Sequence, residues 1–201
     1  LRELASYSPP AAELLARLEA LAERAYEYAL DMDFRFLFDE SRELFAIGYQ
    51  TTTHCCDASF YDLLASEARL ASFVAIAKGD VPVSHWFHLG RPITRAGGGQ
   101  MLLSWSGTMF EYLMPLLVMR SYPATLLDQT YAAIVRRQIE YGGQRGVPWG
   151  ISEAAYAVFD LGLTYQYRAL RVPRACLQRG LREELVVAPY VSVMAVTVMP
   201  I

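Results

Sequence analysis

After Pro9 and Pro10, residues 11–30 place Leu14, Leu15, Leu18, Leu21, Ala22, Ala25 and Leu30 at helical spacing, with Glu and Arg on the opposite face. This is the stripe of an amphipathic helix. The period then changes. Residues 36–39 and 44–49, rich in Phe, Ile and Tyr, flank the polar "DESR" and predict a small β-hairpin, followed by a loop over residues 50–57. Ser59 predicts the cap of a helix over "FYDLLASEARLASFVAIAKG", closed by Gly79 and Pro82. A Pro- and Gly-rich connection with "AGGG" at 96–99 leads through Trp105 to Gly107, and "TMFEYLMPLLVM" predicts a buried helix. Pro123 precedes a long helix, "TLLDQTYAAIVRRQIEYG", expected to end at Gly142 and Gly143. After Glu153 come an irregular aromatic segment, "LTYQYRAL", and a last helix starting near Pro189.

No repeat of fixed period and no dividing linker interrupts this pattern, so residues 1–201 predict a single, mainly α domain built of helical hairpins. Composition agrees, since 54% hydrophobic and 19% charged residues describe a globular chain with a substantial core. A formal net charge of −3 argues against a nucleic-acid partner, which would call for a basic surface. The most apolar run, residues 185–199, is too short to span a bilayer and carries Pro189. Beginning on Leu1 and ending on the apolar "VSVMAVTVMPI", the sequence reads as an excerpt from a longer polypeptide.

Cys55, Cys56 and Cys176 make an odd count with two adjacent, a poor disulfide framework, and read as reduced thiols. His54 beside them lacks the second ligand pair a structural zinc needs, and His85 and His88 lack the spacing of a metalloprotease helix, so no metal is expected. "AGGGQ" lacks the lysine and the strand–turn–helix setting of a phosphate loop. No cofactor is implied.

Three carboxylates stand in apolar company. Glu67, on the helix expected from Ser59, has Leu63, Leu64, Leu70 and Ala71 at helical spacing. Glu111 lies inside "TMFEYLMPLL", and Glu153 follows "VPWGIS" with no Lys or Arg from Gly146 through Tyr167. Any one of them alone reads as a buried acid paired with an arginine, with Arg69, Arg91 and Arg120 the candidates. Three in one short chain point to a site, because an uncompensated buried charge costs several kcal/mol. Paired carboxylates are the machinery of glycoside chemistry, and sugars also need aromatic platforms. Trp86, Trp105, Trp149, Tyr49, Tyr156, Tyr165 and Tyr167 fall in loops or at element ends, although each one singly reads as core filling.

The phrases "YDLLASEARLASFVAIAKGDVPVSHWFHLGRP", "LLSWSGTMFEYLMPLLVMR", "TLLDQTYAAIVRRQIEYG" and "GVPWGISEAAY" resemble the glucoamylase-like domain of cyclic β-1,2-glucan synthases, over about residues 33–189. The resemblance implies an (α/α)6 barrel, of which 201 residues would hold only part, with about six helices. It also implies anomer-retaining transglycosylation that closes linear β-1,2-glucan into a ring. The parent would be a large membrane protein at the cytoplasmic face of the bacterial inner membrane, whose other domains are partners. Glu153 in "WGISE" would be the general acid/base and Glu67 in "ASEARLASF" the nucleophile, with Glu111, Asp62, Trp105 and Tyr156 lining the glucan, and Trp149 and Trp86 are expected to join them as aromatic platforms. The segment "QTTTHCCD" departs from the more acidic, glycine-containing stretch expected there. Two alternatives stay open: hydrolysis of the same glucan, with water as acceptor, and a non-catalytic glucan-binding module.

Overall fold

The computed structural model describes residues 2–168, 172–177 and 185–199. A short helix, α1 (Arg2–Ala5), precedes the expected amphipathic helix, α2 (Pro9–Asp31), which begins with proline in its first turn and ends where Met32 turns extended. No residue of α2 is buried: Leu14, Leu18, Leu21 and Leu30 all remain on the surface.

The hairpin expected next is present as β1 (Phe38–Asp39) and β2 (Leu44–Ala46), paired Phe38 to Phe45. The loop expected over residues 50–57 is instead a second hairpin, β3 (Tyr49–Gln50) with β4 (Cys55–Cys56). The tight turn between them holds His54 at φ 54°. The thiols of Cys55 and Cys56 are free and exposed. β5 (Phe60–Tyr61) then joins β2 as a third strand, and Ile47 N–H donates to the Ser59 carbonyl at 2.9 Å. Ser59 therefore extends a sheet and caps no helix. The expected helix is cut to its second half, α3 (Arg69–Lys78), closed by Gly79 at φ 80°. Pairing of Phe60 and Tyr61 with β2 outcompetes local helix propensity, and Glu67 falls in the turn ahead of the helix.

After α4 (Ser84–His88), the "AGGG" connection is the tip of a hairpin, β6 (Ile93–Ala96) with β7 (Gly99–Leu102). A Cβ on Gly97 would lie 2.0 Å from the Ala133 carbonyl oxygen, so only glycine lets this turn rest on the helix beneath it. The helix expected over residues 108–119 keeps one turn and a half as α5 (Met109–Leu113), then tightens into a 3-10 turn over Met114–Leu117 at Pro115. α6 (Leu126–Arg145) opens on Thr125, whose hydroxyl accepts from Asp128 N–H, and passes through Gly142 and Gly143 to end at Gly146. Gly142 is there for packing: a Cβ would meet Trp149 at 3.0 Å.

The aromatic segment after Glu153 is a fourth hairpin, β8 (Ala154–Phe159) with β9 (Tyr165–Arg168); Ala169 and Leu170 of "LTYQYRAL" lie outside the described residues. α7 (Pro189–Ala195) begins where expected. Among the described residues the chain is thus mainly helical with four small antiparallel sheets. The main core gathers Met101, Leu102, Tyr112, Ile134, Ile151 and Val191 from β7, α5, α6, the loop before Glu153 and α7. No helix of the described residues is long and apolar enough to cross a membrane.

Candidate active site

The loop of residues 104–108, "SWSGT", sits against the N-terminus of α5 and is closed by Glu111. The Glu111 carboxylate accepts the Ser104 hydroxyl at 2.8 Å, the Ser106 hydroxyl at 2.6 Å, Ser106 N–H at 3.1 Å and Thr108 N–H at 3.0 Å. Together with the Thr108 hydroxyl this is a capping box, and it compensates a carboxylate that is 8% exposed. Among the described residues the Glu111 carboxylate takes its hydrogen bonds from this loop and from no arginine, so its charge organises the loop.

Thr108 leads from Glu111 to Glu153. Its hydroxyl lies 3.3 Å from Glu111 Oε2 and 2.8 Å from Glu153 Oε1. One hydroxyl carries one proton, and Glu111 already has four donors, so the Thr108 proton belongs to Glu153. The other Glu153 oxygen accepts from Ser152 at 3.0 Å. Ser152 in turn accepts Phe110 N–H at 3.1 Å, and the Tyr190 hydroxyl lies 3.0 Å from both the Ser152 hydroxyl and the Glu153 carbonyl. The loop beneath is pinned by Gln138 of α6, whose buried amide makes a two-way pair with Ile151, donating to its carbonyl at 3.0 Å and accepting its N–H at 2.8 Å. Gly150, at φ 114°, lets this loop pass close to Val191 on α7.

Glu67 reaches the same cluster from the turn before α3. The Ser66 hydroxyl accepts Ala68 N–H and donates to Glu67 Oε2 at 3.3 Å. The carboxylate lines an apolar groove of about 660 Å³ with Phe34, Tyr61, Phe73, Val74 and Met114. Burial there pushes the Glu67 carboxyl above its usual range, and the charges of Glu111 and Glu153 push it further the same way. Tyr61 is raised by burial and by the charge of Glu67. The two segments are locked by Arg69, which is 1% exposed and donates to the carbonyls of Ser66 at 2.7 Å, Glu111 at 2.9 Å and Tyr112 at 2.5 Å. Of the arginines considered as acid partners, Arg69 thus serves carbonyls, Arg91 caps the carbonyls of Trp86, Phe87 and Leu89, and Arg120 lies on the surface.

Trp105 and Asp62 also come together. The indole N–H donates to Asp62 Oδ1 at 2.8 Å while the ring stays 45% exposed, beside a cavity of about 460 Å³ that Arg42, Ser59 and Phe60 complete. Tyr156, on β8, is half-buried. Trp86 and Trp149 are half-buried too, but pack against the main core. Sequence reading passed over Thr108, Ser152, Tyr61 and Tyr190. "SWSGTMFE" does carry the S/T-x-x-E signature of a capping box at Thr108 and Glu111, whereas Tyr190 reaches the site only through the placement of α7.

Residues 59–201, which include Glu67, Glu111 and Glu153, match the family model Glycoamylase, described as "Putative glucoamylase". Over 182 residues, 90% of this chain, the sequence is 52% identical to cyclic beta-(1,2)-glucan synthase NdvB of Rhizobium meliloti (strain 1021). The chain spans 6% of that relative's length. A match over more than half of the sequence, on the segment that builds the carboxylate cluster, establishes that the chain belongs to the Glycoamylase family of glucoamylase-like domains.

Proposed function

We propose that the chain supplies the two working carboxylates of a retaining glycosyl-transfer site for linear β-1,2-glucan, with Glu67 as nucleophile and Glu153 as general acid/base. The observation that carries this reading is the clamp on Glu153: Thr108 and Ser152 hold one oxygen each and so fix the carboxyl's plane, while Glu67 stands within reach of its charge. A carboxylate kept for stability alone would be satisfied like Glu111, by backbone and hydroxyl donors on every side.

In the first half-reaction a Glu67 oxygen attacks the anomeric carbon, the C–O bond to the departing chain breaks, and Glu153 gives its proton to the leaving oxygen. In the second, Glu153 takes the proton from an acceptor hydroxyl, which attacks the same carbon and frees Glu67. Two displacements retain the anomeric configuration. An acceptor hydroxyl from the far end of the same glucan gives a ring, and water gives hydrolysis. Trp105, oriented by Asp62, and Tyr156 offer faces for sugar rings; Trp86 and Trp149 pack against the main core; Glu111 holds the loop that delivers Thr108. The name of the synthase relative supports β-1,2-glucan as substrate. The chain on this reading is one domain fragment of an (α/α)6 barrel, completed by further segments of a large polypeptide at the cytoplasmic face of the inner membrane, whose neighbouring domains are its partners.

Calorimetric titration with linear β-1,2-glucan and with linear α-1,4-glucan tests the substrate assignment. Binding of the β-1,2 polymer alone, weakened in Trp105→Ala, is expected. Equal affinity for both polymers overturns it.

A further inference from the structure

A second cavity, of about 800 Å³, has none of the three carboxylates in its lining. Three separate segments build it. From α6 come Arg137, Glu140 and Gln144, spaced so that they share one helix face. From the β6–β7 hairpin come Arg95 and Gln100, which are cross-strand partners and therefore point to the same side, with the backbone of Gly97, Gly98 and Gly99. Arg174, held at φ 68°, closes it. The hairpin cannot collapse away from this arrangement, because Gly97 rests on α6 and its carbonyl accepts Arg136 Nε at 2.7 Å.

Three guanidiniums face one carboxylate there, a local balance of +2 in a chain whose formal net charge is −3. That acid does not neutralise them. Glu140 lies 3.9 Å from Arg137 Nη1, and its side chain is 49% exposed. Arg137 itself is 7% exposed and anchored through Nε, which donates to the Pro173 carbonyl at 3.0 Å. Among the described residues its terminal nitrogens make no hydrogen bond. A buried, pre-oriented guanidinium with free donors, flanked by two exposed ones, is suited to an oxyanion, which it binds through paired charge-assisted hydrogen bonds. The cavity is of the size that takes whole small molecules and is larger than a bare phosphate needs. The Gln100 and Gln144 amides supply both donors and acceptors, the complement of hydroxyl groups.

We propose that this cleft between α6 and the β6–β7 hairpin is a binding site for a phosphate monoester of a polyhydroxylated small molecule. The phosphate seats among Arg95, Arg137 and Arg174, and the hydroxylated body lies along Gln100 and Gln144.

The test is calorimetric titration of the full chain at physiological ionic strength with glucose 6-phosphate, inorganic phosphate and glucose. Glucose 6-phosphate is expected to bind, inorganic phosphate to bind about ten-fold more weakly while competing for the same site, and glucose to give no heat. Arg95→Gln/Arg174→Gln removes two surface cations without touching the anchored Arg137, and should weaken glucose 6-phosphate by about ten-fold or more. The exposed Arg24→Gln on α2, a charge control, should change nothing, and Glu67→Gln should leave binding intact because Glu67 does not line the cavity. Unfolding midpoints of all variants confirm that each is folded. Three results would overturn the proposal: no heat with any phosphate, equal binding by wild type and the double variant, or inorganic phosphate binding as tightly as glucose 6-phosphate, which would leave the hydroxylated body without a role.

Discussion

The guanidinium of Arg69 donates to the backbone carbonyl of Glu111 at 2.9 Å, while the Glu111 carboxylate turns away to the loop of residues 104–108. A buried arginine and a buried glutamate thus touch without forming an ion pair. Each is compensated separately: Arg69 by carbonyls of Ser66, Glu111 and Tyr112, and Glu111 by hydroxyl and N–H donors. The result is a joint. Arg69 sits two residues after Glu67, and two of the carbonyls it holds belong to the helix whose N-cap reaches Glu153, so one side chain ties the segment of Glu67 to that of Glu153.

Removing that joint should be costly. Arg69→Met removes the guanidinium donor from three carbonyls, a loss of about 3–5 kcal/mol by analogy with broken buried polar networks. Denaturant unfolding of the variant against wild type measures it. Arg69→Lys, a single point of charge with a shorter reach, should recover part of the loss but not all. A cost under about 1 kcal/mol for Arg69→Met would reduce the joint to an ordinary surface contact.

Thr108 separates stability from chemistry. Thr108→Val loses both the N-cap and the donor to Glu153 Oε1; the cap alone costs about 1 kcal/mol. Thr108→Ser keeps both. On the proposed reading, Thr108→Val in the parent polypeptide lowers kcat by on the order of ten-fold or more with little change in KM, and Thr108→Ser restores most of it. Equal kcat in the two variants would show that the hydroxyl does not position Glu153.

Much of this arrangement was legible in the chain, and the failures share a cause. α2, α6 and α7 declare themselves by period and punctuation, and local rules suffice for them. Residues 59–68 also carry a helical pattern, yet Phe60 and Tyr61 pair with β2 across residues 45–46, a contact local rules do not see. The helical pattern places Glu67 on a helix face that the fold does not form, although its apolar surroundings are real because Tyr61, Phe73 and Met114 assemble around it in space. The polar support of Glu153 was the least legible part. Ser152 is adjacent to it, but Thr108 and Tyr190 come from 45 and 37 residues away, and no periodicity links them.

The Glu67 carboxyl is raised by burial and by neighbouring negative charge, and the sign of two effects follows. On the proposed reading Glu67 is the nucleophile and must be ionised, so the acid limb of kcat/KM should lie above the ordinary value of 4.5 for a glutamate, with activity lost as pH falls through the raised pKa. For stability, a carboxyl raised on folding favours the folded state below pH 4.5 relative to neutral pH, and that advantage is lost as pH rises through the folded value. Glu67→Gln, which never ionises, should therefore raise the unfolding midpoint at pH 7. A lower midpoint at pH 7 would contradict the burial of an unpaired charge there.

His85 gives the opposite dependence. It is fully buried against Phe38 and Phe45, its Nδ1 lies 2.7 Å from the Glu43 carbonyl and its Nε2 2.9 Å from the Ser72 hydroxyl. A carbonyl can only accept, so Nδ1 carries the proton and Nε2 accepts from Ser72. Burial holds the ring below the ordinary 6.5. The stability this arrangement contributes is complete above pH 6.5 and is lost as pH falls through the lowered folded value. Unfolding midpoints followed from pH 8 to pH 5 should fall below about pH 6.5 in wild type and flatten in His85→Gln.

The final prediction concerns the division of labour between Glu67 and Glu153. A general acid matters in proportion to how badly the leaving group needs a proton, whereas a nucleophile is needed whatever leaves. In the parent polypeptide, Glu153→Gln should therefore slow turnover of linear β-1,2-glucan by on the order of 10²-fold or more, while turnover of an aryl glucoside with an acidic phenol as leaving group falls far less. Because the same residue deprotonates the acceptor, that variant should accumulate a glycosyl-enzyme on the activated substrate, visible by intact mass, and a small external anion such as azide should discharge it without help from a base. Glu67→Gln should abolish turnover of both substrates and accumulate nothing, and peptide mapping of the Glu153→Gln adduct should place the sugar on Glu67. The clamp of Thr108 and Ser152 fixes the orientation of Glu153, whereas Glu67 is held by its own backbone N–H and by Ser66 at 3.3 Å. An adduct on Glu153 in a Glu67→Gln protein would exchange the two roles, and an adduct on Glu111 would undo the assignment of that residue to the loop it closes.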